Sequence, residues 1–335
     1  MKTSVAVVAT LAIASAASLF AQGAAPAAGP APAARTDGAG AVHVWPVQRN
    51  IYALFGPGGN STVSIGDDGV LVVDTMTADA APDLIAAIRT LSNKPIRWII
   101  NTHSHPDHTG GNAVVARSGV YIATGNTRGG GGASILAFEN ALMRLNGSAG
   151  SPDKVPEAGW PTDSFFVKQT DMFFNGEPVL TMHQPSAHTD ADAIVFFRRS
   201  DVIAAGDVFT PDRYPVIDAA EGGSINGTIA ALNTLIELAV PEYNEEGGTM
   251  IVPGHGRICD ESDVGDYRDM VTIVRDRVQD LIAKKMTLAQ VKAARPTFDY
   301  DGVYATPSYT GDMFVEAVYR SLTASPGAAS RSPAR

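Results

Sequence analysis

The segment INTHSHPDHTGGN at residues 100–112 is the feature that most restricts how this chain can fold. It places three of the seven histidines and one aspartate within six positions, directly after an apolar run that is typical of a buried strand. Imidazole and carboxylate groups are suitable ligands for zinc, iron or manganese. His103 and His105 are two positions apart and can converge on one ion. Asp107 and His108 can turn toward a second ion.

Three more junctions between a strand and a loop carry the same residue types. His188 lies in PSAHTDAD, Asp207 in VIAAGDVFT and His255 in TMIVPGHG. Each follows an apolar strand, and a rigid strand can hold a loop ligand in place. A single histidine at such a position is usually an ordinary polar group. The joint occurrence of these groups indicates a set that suits two adjacent metal ions.

The order of apolar patterns along the chain indicates the fold class. Short runs rich in strand-forming residues, separated by PGGN and GDDG turns, predict antiparallel hairpins from Ile51 to Thr75. Helical spacing of apolar residues predicts helices at residues 79–92, 133–145, 225–239 and 267–285. Hairpins interleaved with helices, rather than strict strand–helix alternation, indicate an α+β fold with mixed sheets and helices outside.

The chain is expected to consist of one large domain with terminal extensions. MKTSVAVVATLAIASAASLF has the layout of a secretory signal peptide, so we expect a periplasmic or secreted protein with no stable membrane anchor after cleavage. An Ala/Pro-rich linker should follow it. The expected segments are the signal peptide 1–23, the linker 24–40, the main domain 41–260, a helical C-terminal extension 261–325 and a disordered tail 326–335.

Charge and cysteine content exclude some functions. The formal net charge of −10 would repel a phosphate backbone, so we expect a small-molecule substrate and no nucleic-acid partner. Cys259 is the only cysteine, so no internal disulfide can form, and a free cysteine most often behaves as a small buried hydrophobe. The oligomeric state stays open at this point.

The motifs together resemble the metallo-β-lactamase superfamily. The His-x-His-x-Asp-His pattern at residues 103–108 is followed in order by AHT, AAGD and PGHG, and the similarity covers roughly residues 45–260. The resemblance implies an αββα sandwich with the metal site at one edge between the two sheets. It also implies that His103, His105 and His188 hold a first metal, that Asp107, His108 and His255 hold a second, and that Asp207 bridges them.

The resemblance implies hydrolysis with two divalent metal ions, zinc before iron or manganese. The expected reaction is cleavage of a small ester, thioester, lactone or amide by a metal-bound hydroxide, with Asp107 steering that hydroxide and handling its proton. Asp207 resembles the glyoxalase II and lactonase branches, whereas many zinc β-lactamases carry cysteine there and lysine where Thr210 stands. A β-lactamase and an iron-dependent sulfur dioxygenase remain the alternatives.

Other polar residues near the motifs have more than one interpretation. Asp74 and Asp192 either orient metal ligands through hydrogen bonds or cap turns. Arg213 and Tyr214, in the segment after Asp207, are candidates for substrate contact because loops carry specificity on a rigid scaffold.

Overall fold

The computed structural model describes residues 42–121, 131–148, 155–241 and 247–324. The expected signal peptide, linker and C-terminal tail lie outside these ranges. Among the residues described, no helix combines the length and apolar character needed to cross a bilayer.

The first sheet has seven strands in chain order in the described part of the molecule. Its second to fourth strands form the antiparallel hairpins predicted from Ile51 to Thr75, and β1, which was not predicted, pairs antiparallel with β2. The last three strands are added in parallel. The strands are β1 (His43–Gln48), β2 (Ile51–Gly56), β3 (Gly59–Gly66), β4 (Gly69–Val73), β5 (Ile96–Ile100), β6 (Ser134–Phe138) and β7 (Asp163–Phe165).

The second sheet has five strands in the order β12-β11-β10-β9-β8 within the same ranges. It is antiparallel except for the pair of β11 and β12, which is parallel. Its strands are β8 (Gln169–Phe174), β9 (Glu177–His183), β10 (Ala193–Phe197), β11 (Val202–Gly206) and β12 (Met250–Pro253).

Several of the helices after residue 220 begin at residues whose side chains cap them. Ser224 accepts a hydrogen bond from the Gly227 amide, and Asp260 and Thr287 each form a reciprocal capping box. The helices are α1 (Ala81–Leu91), α2 (Pro106–Thr109), α3 (Asn112–Arg117), α4 (Glu139–Leu145), α5 (Ile225–Leu238), α6 (Glu261–Ala283), α7 (Leu288–Ala293), α8 (Asp301–Tyr304) and α9 (Gly311–Thr323).

Alternating side chains along the strands build the layers. Leu71 and Val73 of β4 point into the core between the sheets, whereas Val72 packs with α1 on the outer face. On the second sheet, Val195 faces the inner core and Ile194 faces α5 and α6. A slip of one residue in either strand would move these apolar side chains to the wrong layer. The expected αββα sandwich is confirmed.

One expected helix is wrong over its first half. Residues 134–138 form strand β6, an interior strand of the first sheet between β5 and β7, and only residues 139–145 are helical. All five side chains of β6 are buried, so the segment is a continuous apolar run without an alternating pattern. Periodicity alone cannot separate such a buried strand from a helix.

One edge of the sandwich collects the loops that carry the histidines. The Ala193 amide donates to the Thr102 carbonyl at 2.7 Å and so joins the two sheets there. Asn60 at the start of β3 donates from Nδ2 to the carbonyls of Pro253 and Gly256, at 3.0 and 2.9 Å, and fixes the loop after β12. Bonds between neighbouring segments therefore help to hold the loops at this edge.

Candidate metal centre

The first histidine loop is a strand end followed at once by one helical turn. Pro106 opens α2, and the Thr109 hydroxyl donates to the carbonyls of Ser104 and His105 at 3.1 and 3.0 Å. Proline fits the first helical turn because its missing N–H would have no partner there. The turn therefore fixes Asp107 beside the two histidines that precede it.

A first ligand group consists of His103, His105 and His188. Nδ1 of His105 lies 3.0 Å from Nε2 of His188, and the ligand atoms of the three residues all lie within 4.8 Å of one another. Zinc binds nitrogen at about 2.0–2.1 Å, which places tetrahedral ligands about 3.4 Å apart. The three imidazoles could therefore hold one metal ion.

A second ligand group, Asp107, His108 and His255, adjoins the first through Asp207. Nε2 of His255 lies 3.3 Å from Asp107 Oδ2, and Asp207 Oδ1 lies 3.3 Å from His108 Nε2 and 3.4 Å from His255 Nε2. Asp207 Oδ2 lies 3.9 Å from His188 Nε2 in the first group. Asp207 thus stands between the two groups, as the resemblance implies.

Several of these ligand atoms are buried without any hydrogen-bond partner in the described part of the protein. They are Nε2 of His103, His108 and His255, and Oδ1 of Asp207. An unsatisfied buried polar group costs about 1–3 kcal/mol, and such groups normally find partners. Their convergence on one volume, with nitrogen and carboxylate donors only, fits divalent cations.

Asp74 orients two of the histidines. His108 donates from Nδ1 to Asp74 Oδ2 at 2.8 Å, and the Thr102 hydroxyl, which accepts from His103 Nδ1, donates to the same oxygen at 2.7 Å. These bonds leave the Nε2 atoms of both rings pointing into the site. Asp74 adopts a left-handed φ of 62°, a conformation that most residues avoid and that these bonds hold in place.

We expect Asp74→Asn to weaken metal binding by about tenfold to a hundredfold, because a hydrogen-bonded carboxylate orients a ligand histidine and raises its basicity. Competition of the protein with a zinc-binding dye measures this affinity. Asp68→Asn, an exposed aspartate at a β-turn, serves as the control. An unchanged affinity in the Asp74 variant would contradict the orienting role.

Asp192 caps a turn. Its Oδ2 accepts from the Thr189 amide at 2.9 Å, and its Oδ1 accepts from the Thr189 hydroxyl at 2.7 Å. Burial raises the pKa of this carboxyl to about 6. Asp192 therefore shapes the loop that follows His188, and its recorded bonds involve no ligand ring.

Two further groups orient ligand rings and were not anticipated. His105 donates from Nε2 to Asp218 Oδ2 at 3.2 Å, and His188 donates from Nδ1 to the Val216 carbonyl at 2.8 Å. Glu221, which is paired with Arg144, lies 3.8 Å from His105 Nε2. The sequence gives no sign of a backbone acceptor such as the Val216 carbonyl. The carboxylates of Asp218 and Glu221, three positions apart in one loop, could have been recognised as candidates.

Two glycines permit the close approach of the loops. A Cβ at Gly254 would lie 2.1 Å from Asp207 Oδ1, and a Cβ at Gly206 would lie 2.6 Å from Thr102 Oγ1. Gly206 also has a φ of +54°, which side chains rarely adopt. The glycines in AAGD and PGHG are thus parts of the site that sequence reasoning passed over.

Burial and neighbouring charges have opposite effects on the pKa values of the cluster. Burial disfavours protonation of His108, but the carboxylates of Asp74 and Asp207 outweigh it and raise the pKa well above its usual range. Burial likewise disfavours ionisation of Asp207, but His108 and His255 outweigh it and lower the pKa well below its usual range. Without bound metal, these charges therefore favour a protonated His108 beside an ionised Asp207, whereas burial lowers the pKa of His103 well below its usual range.

The two candidates for substrate contact differ in position. Arg213 places Nη2 3.6 Å from Asp207 Oδ2 and keeps 31% of its side chain exposed. Tyr214 is completely buried, and its hydroxyl donates to Asp301 and to the Thr297 carbonyl. The expectation that Tyr214 contacts a substrate is therefore wrong, because its aromatic ring belongs to the core.

Known proteins resemble this chain in sequence and fold. The metallo-β-lactamase superfamily matches residues 55–255. The sec-alkylsulfatase Pisa1 from Pseudomonas sp. is 16% identical with a TM-score of 0.59, over 83% of this chain and 50% of that one. The DIM-1 metallo-β-lactamase is 16% identical with a TM-score of 0.53, over 69% of this chain and 97% of that one.

A metallo-β-lactamase from Pontibacter korlensis is 15% identical with a TM-score of 0.52, over 69% of this chain and 99% of that one. This chain spans about half the length of the alkylsulfatase. At these identities the structural likeness establishes the fold alone.

Proposed function

The chain belongs to the metallo-β-lactamase superfamily, and from this premise we propose that it is an exported binuclear metal-dependent hydrolase of a small ester, thioester, lactone or amide. The observation that carries the proposal is the set of buried ligand atoms that have no hydrogen-bond partner among the described residues, shared between two groups that meet at Asp207. Members of the superfamily are in general hydrolytic metalloenzymes.

The proposed ligands of the two ions are the two groups described above. When bound, a pair of divalent ions lowers the pKa of water to about 7 and polarises a carbonyl oxygen. Asp107 Oδ2 lies 3.3 Å from His255 Nε2, and 35% of the Asp107 side chain is exposed. Burial opposes its ionisation, but His255 and His108 outweigh burial and lower its pKa, so Asp107 is an ionised carboxylate at neutral pH and can orient a water by hydrogen bonding.

Arg213 supports a substrate that carries a negative charge close to the bond that is cleaved. Its buried Nε has no hydrogen-bond partner in the described ranges, and its only recorded ion pair is the 3.6 Å approach to Asp207. A guanidinium with unused donors at the rim of a site is suited to a carboxylate or sulfate group.

We expect Arg213→Met to raise KM for a carboxylate-bearing ester by about tenfold or more, because a hydrogen bond to a charged group contributes about 1.5–3 kcal/mol. KM for the neutral counterpart should stay within about twofold, because that ester offers no partner for the charge. Arg257→Met is the control, since Arg257 pairs with Asp263. Equal changes for both esters would contradict this role of Arg213.

Metal content per chain is the first test of the proposed function. Elemental analysis of protein purified from the exporting compartment is expected to give two zinc ions, followed by turnover in a screen of esters, thioesters, lactones and amides. A single iron per chain, with oxygen consumed on a persulfide, would favour a sulfur dioxygenase instead.

A β-lactamase is the alternative within hydrolysis. Thr210 stands where many zinc β-lactamases carry lysine, and its hydroxyl lies 3.2 Å from the Tyr267 hydroxyl in the protein interior. It therefore offers no charge to a β-lactam carboxylate. Nitrocefin turnover by the purified protein separates the two substrate classes, and efficient turnover would replace the proposed one.

Export rests on the N-terminal sequence. We propose cleavage within residues 16–23 and release into the periplasm or the medium. Intact mass and N-terminal sequencing of the mature protein test this, and a mature chain that begins at Met1 would overturn it.

A further inference from the structure

The Arg213 loop, residues 210–217, contacts the metal centre at two points. Arg213 Nη2 lies 3.6 Å from Asp207 Oδ2. Three residues further on, the Val216 carbonyl accepts a 2.8 Å hydrogen bond from His188 Nδ1. A shift of this loop would therefore move the guanidinium relative to the ligand groups.

Side chains from the C-terminal helices hold this loop from its other side. The Tyr267 hydroxyl, on α6, donates to the Arg213 carbonyl at 3.0 Å. The Tyr309 hydroxyl, just before α9, donates to the Pro215 carbonyl at 3.3 Å. Both tyrosines lie beyond residue 255, where the match to the superfamily ends.

The loop also places one of its own side chains in the C-terminal core. Tyr214 stacks on Phe314 of α9, with ring centroids 4.8 Å apart and planes 15° from parallel. Its amide donates to the Tyr304 carbonyl at 3.1 Å. This buried ring anchors the loop, whereas the two hydroxyl bonds set the carbonyls on either side of it.

Both hydroxyls are suited to act as permanent donors. Burial raises the pKa of Tyr309 to about 12, and burial also raises the pKa of Tyr267. Tyr267 is 1% exposed, so water cannot readily replace its bond to the loop. The Arg213 loop is thus fixed by side chains from outside the part of the chain that defines the superfamily.

We propose that Tyr267 and Tyr309 are positioning residues for Arg213 and thereby set the preference of the site for anionic substrates. The C-terminal helices then form part of the substrate site and do more than cover the second sheet. This inference rests on the proposed function, because it concerns the substrate class of the same site.

The test uses Tyr267→Phe and Tyr309→Phe, which remove only the donating hydroxyl. Tyr319→Phe is the matched control, because its hydroxyl donates to the Met286 carbonyl and not to the loop. The substrates are 4-nitrophenyl hydrogen succinate and its neutral methyl ester. We expect each loop variant to raise KM for the charged ester about three- to tenfold, the range of one lost hydrogen bond.

KM for the neutral ester and the metal content should stay unchanged in these variants. On the Arg213→Met background, Tyr309→Phe should add nothing, since the two residues act through one contact. Hydrogen exchange should speed up in residues 210–217 for both loop variants and not for Tyr319→Phe. Equal KM changes for both esters, or an additive double variant, would overturn the proposal.

Binding without turnover separates this inference from the proposed function. Titration with succinate and succinamide measures the preference for charge even if no ester is cleaved. If the parent protein cleaves no ester but prefers succinate, and Tyr309→Phe removes the preference, hydrolysis fails and the inference stands. If the preference is the same in Tyr309→Phe and Tyr319→Phe, the inference fails whatever the reaction.

Discussion

Asp207→Ala is expected to empty the metal centre and to lower kcat/KM by about a thousandfold, equivalent to about 4 kcal/mol of transition-state stabilisation. The carboxylate oxygens of Asp207 lie within 4 Å of His108, His188 and His255. Its loss therefore weakens both ligand groups at once, where the loss of a single histidine weakens one. Elemental analysis and hydrolysis assays on the same preparation measure the two effects together.

Asp68→Ala is the matched control for that variant. Asp68 is exposed in the turn between β3 and β4, so its replacement removes the same charge without touching a ligand group. We expect full metal content and activity in this control. If Asp207→Ala kept both as well, the metal centre would have to be placed elsewhere.

The second large effect concerns stability after removal of the metals. Each ion bound at about a thousand times its dissociation constant adds about 4 kcal/mol to the free energy of unfolding. In a domain of this size one kcal/mol shifts Tm by about 2–4 °C. Chelation should therefore lower Tm by about 10 °C or more, as thermal unfolding with and without EDTA will show.

The loss of Tm on chelation should grow as pH rises from 6 to 8. In the metal-free cluster, burial opposes charging of His105 and His255, but their carboxylate partners outweigh it and raise both pKa values above 6.5. Because folding raises these two pKa values, protonation of the histidines stabilises the folded, metal-free protein below pH 6.5. This stabilisation is lost as pH rises through the raised pKa values. Metal binding must displace the same protons, so the affinity of the site for metal increases as pH rises. If the decrease in Tm on chelation became smaller toward pH 8, this linkage between protonation and metal binding would be refuted.

Much of the candidate site could be predicted from the sequence, because a metal site requires particular residue types at particular positions in the fold. His188, Asp207 and His255 each follow an apolar strand, and strands that end at one edge of a sandwich bring their loops together. The αββα arrangement was predictable for the same reason, since the resemblance rests on these motifs and the superfamily match covers residues 55–255.

What could not be predicted depends on tertiary packing. Tyr214 was expected at the substrate, but helices far along the chain offer its ring a place in the core. Val216 orients His188 through its carbonyl, a group that every residue has. Residues 134–138 were expected to be helical because only the neighbouring strands identify them as an interior strand of a sheet.

The two ligand groups draw on both halves of the sandwich. The first sheet supplies the loop with His103 and His108, and the second supplies Asp207 and His255. Bound ions would therefore link the two sheets, whose ligand loops lie far apart along the chain. The rate at which the layers separate would then follow the rate at which metal leaves. An agent that extracts the metal would not only stop turnover but also shorten the lifetime of the folded protein.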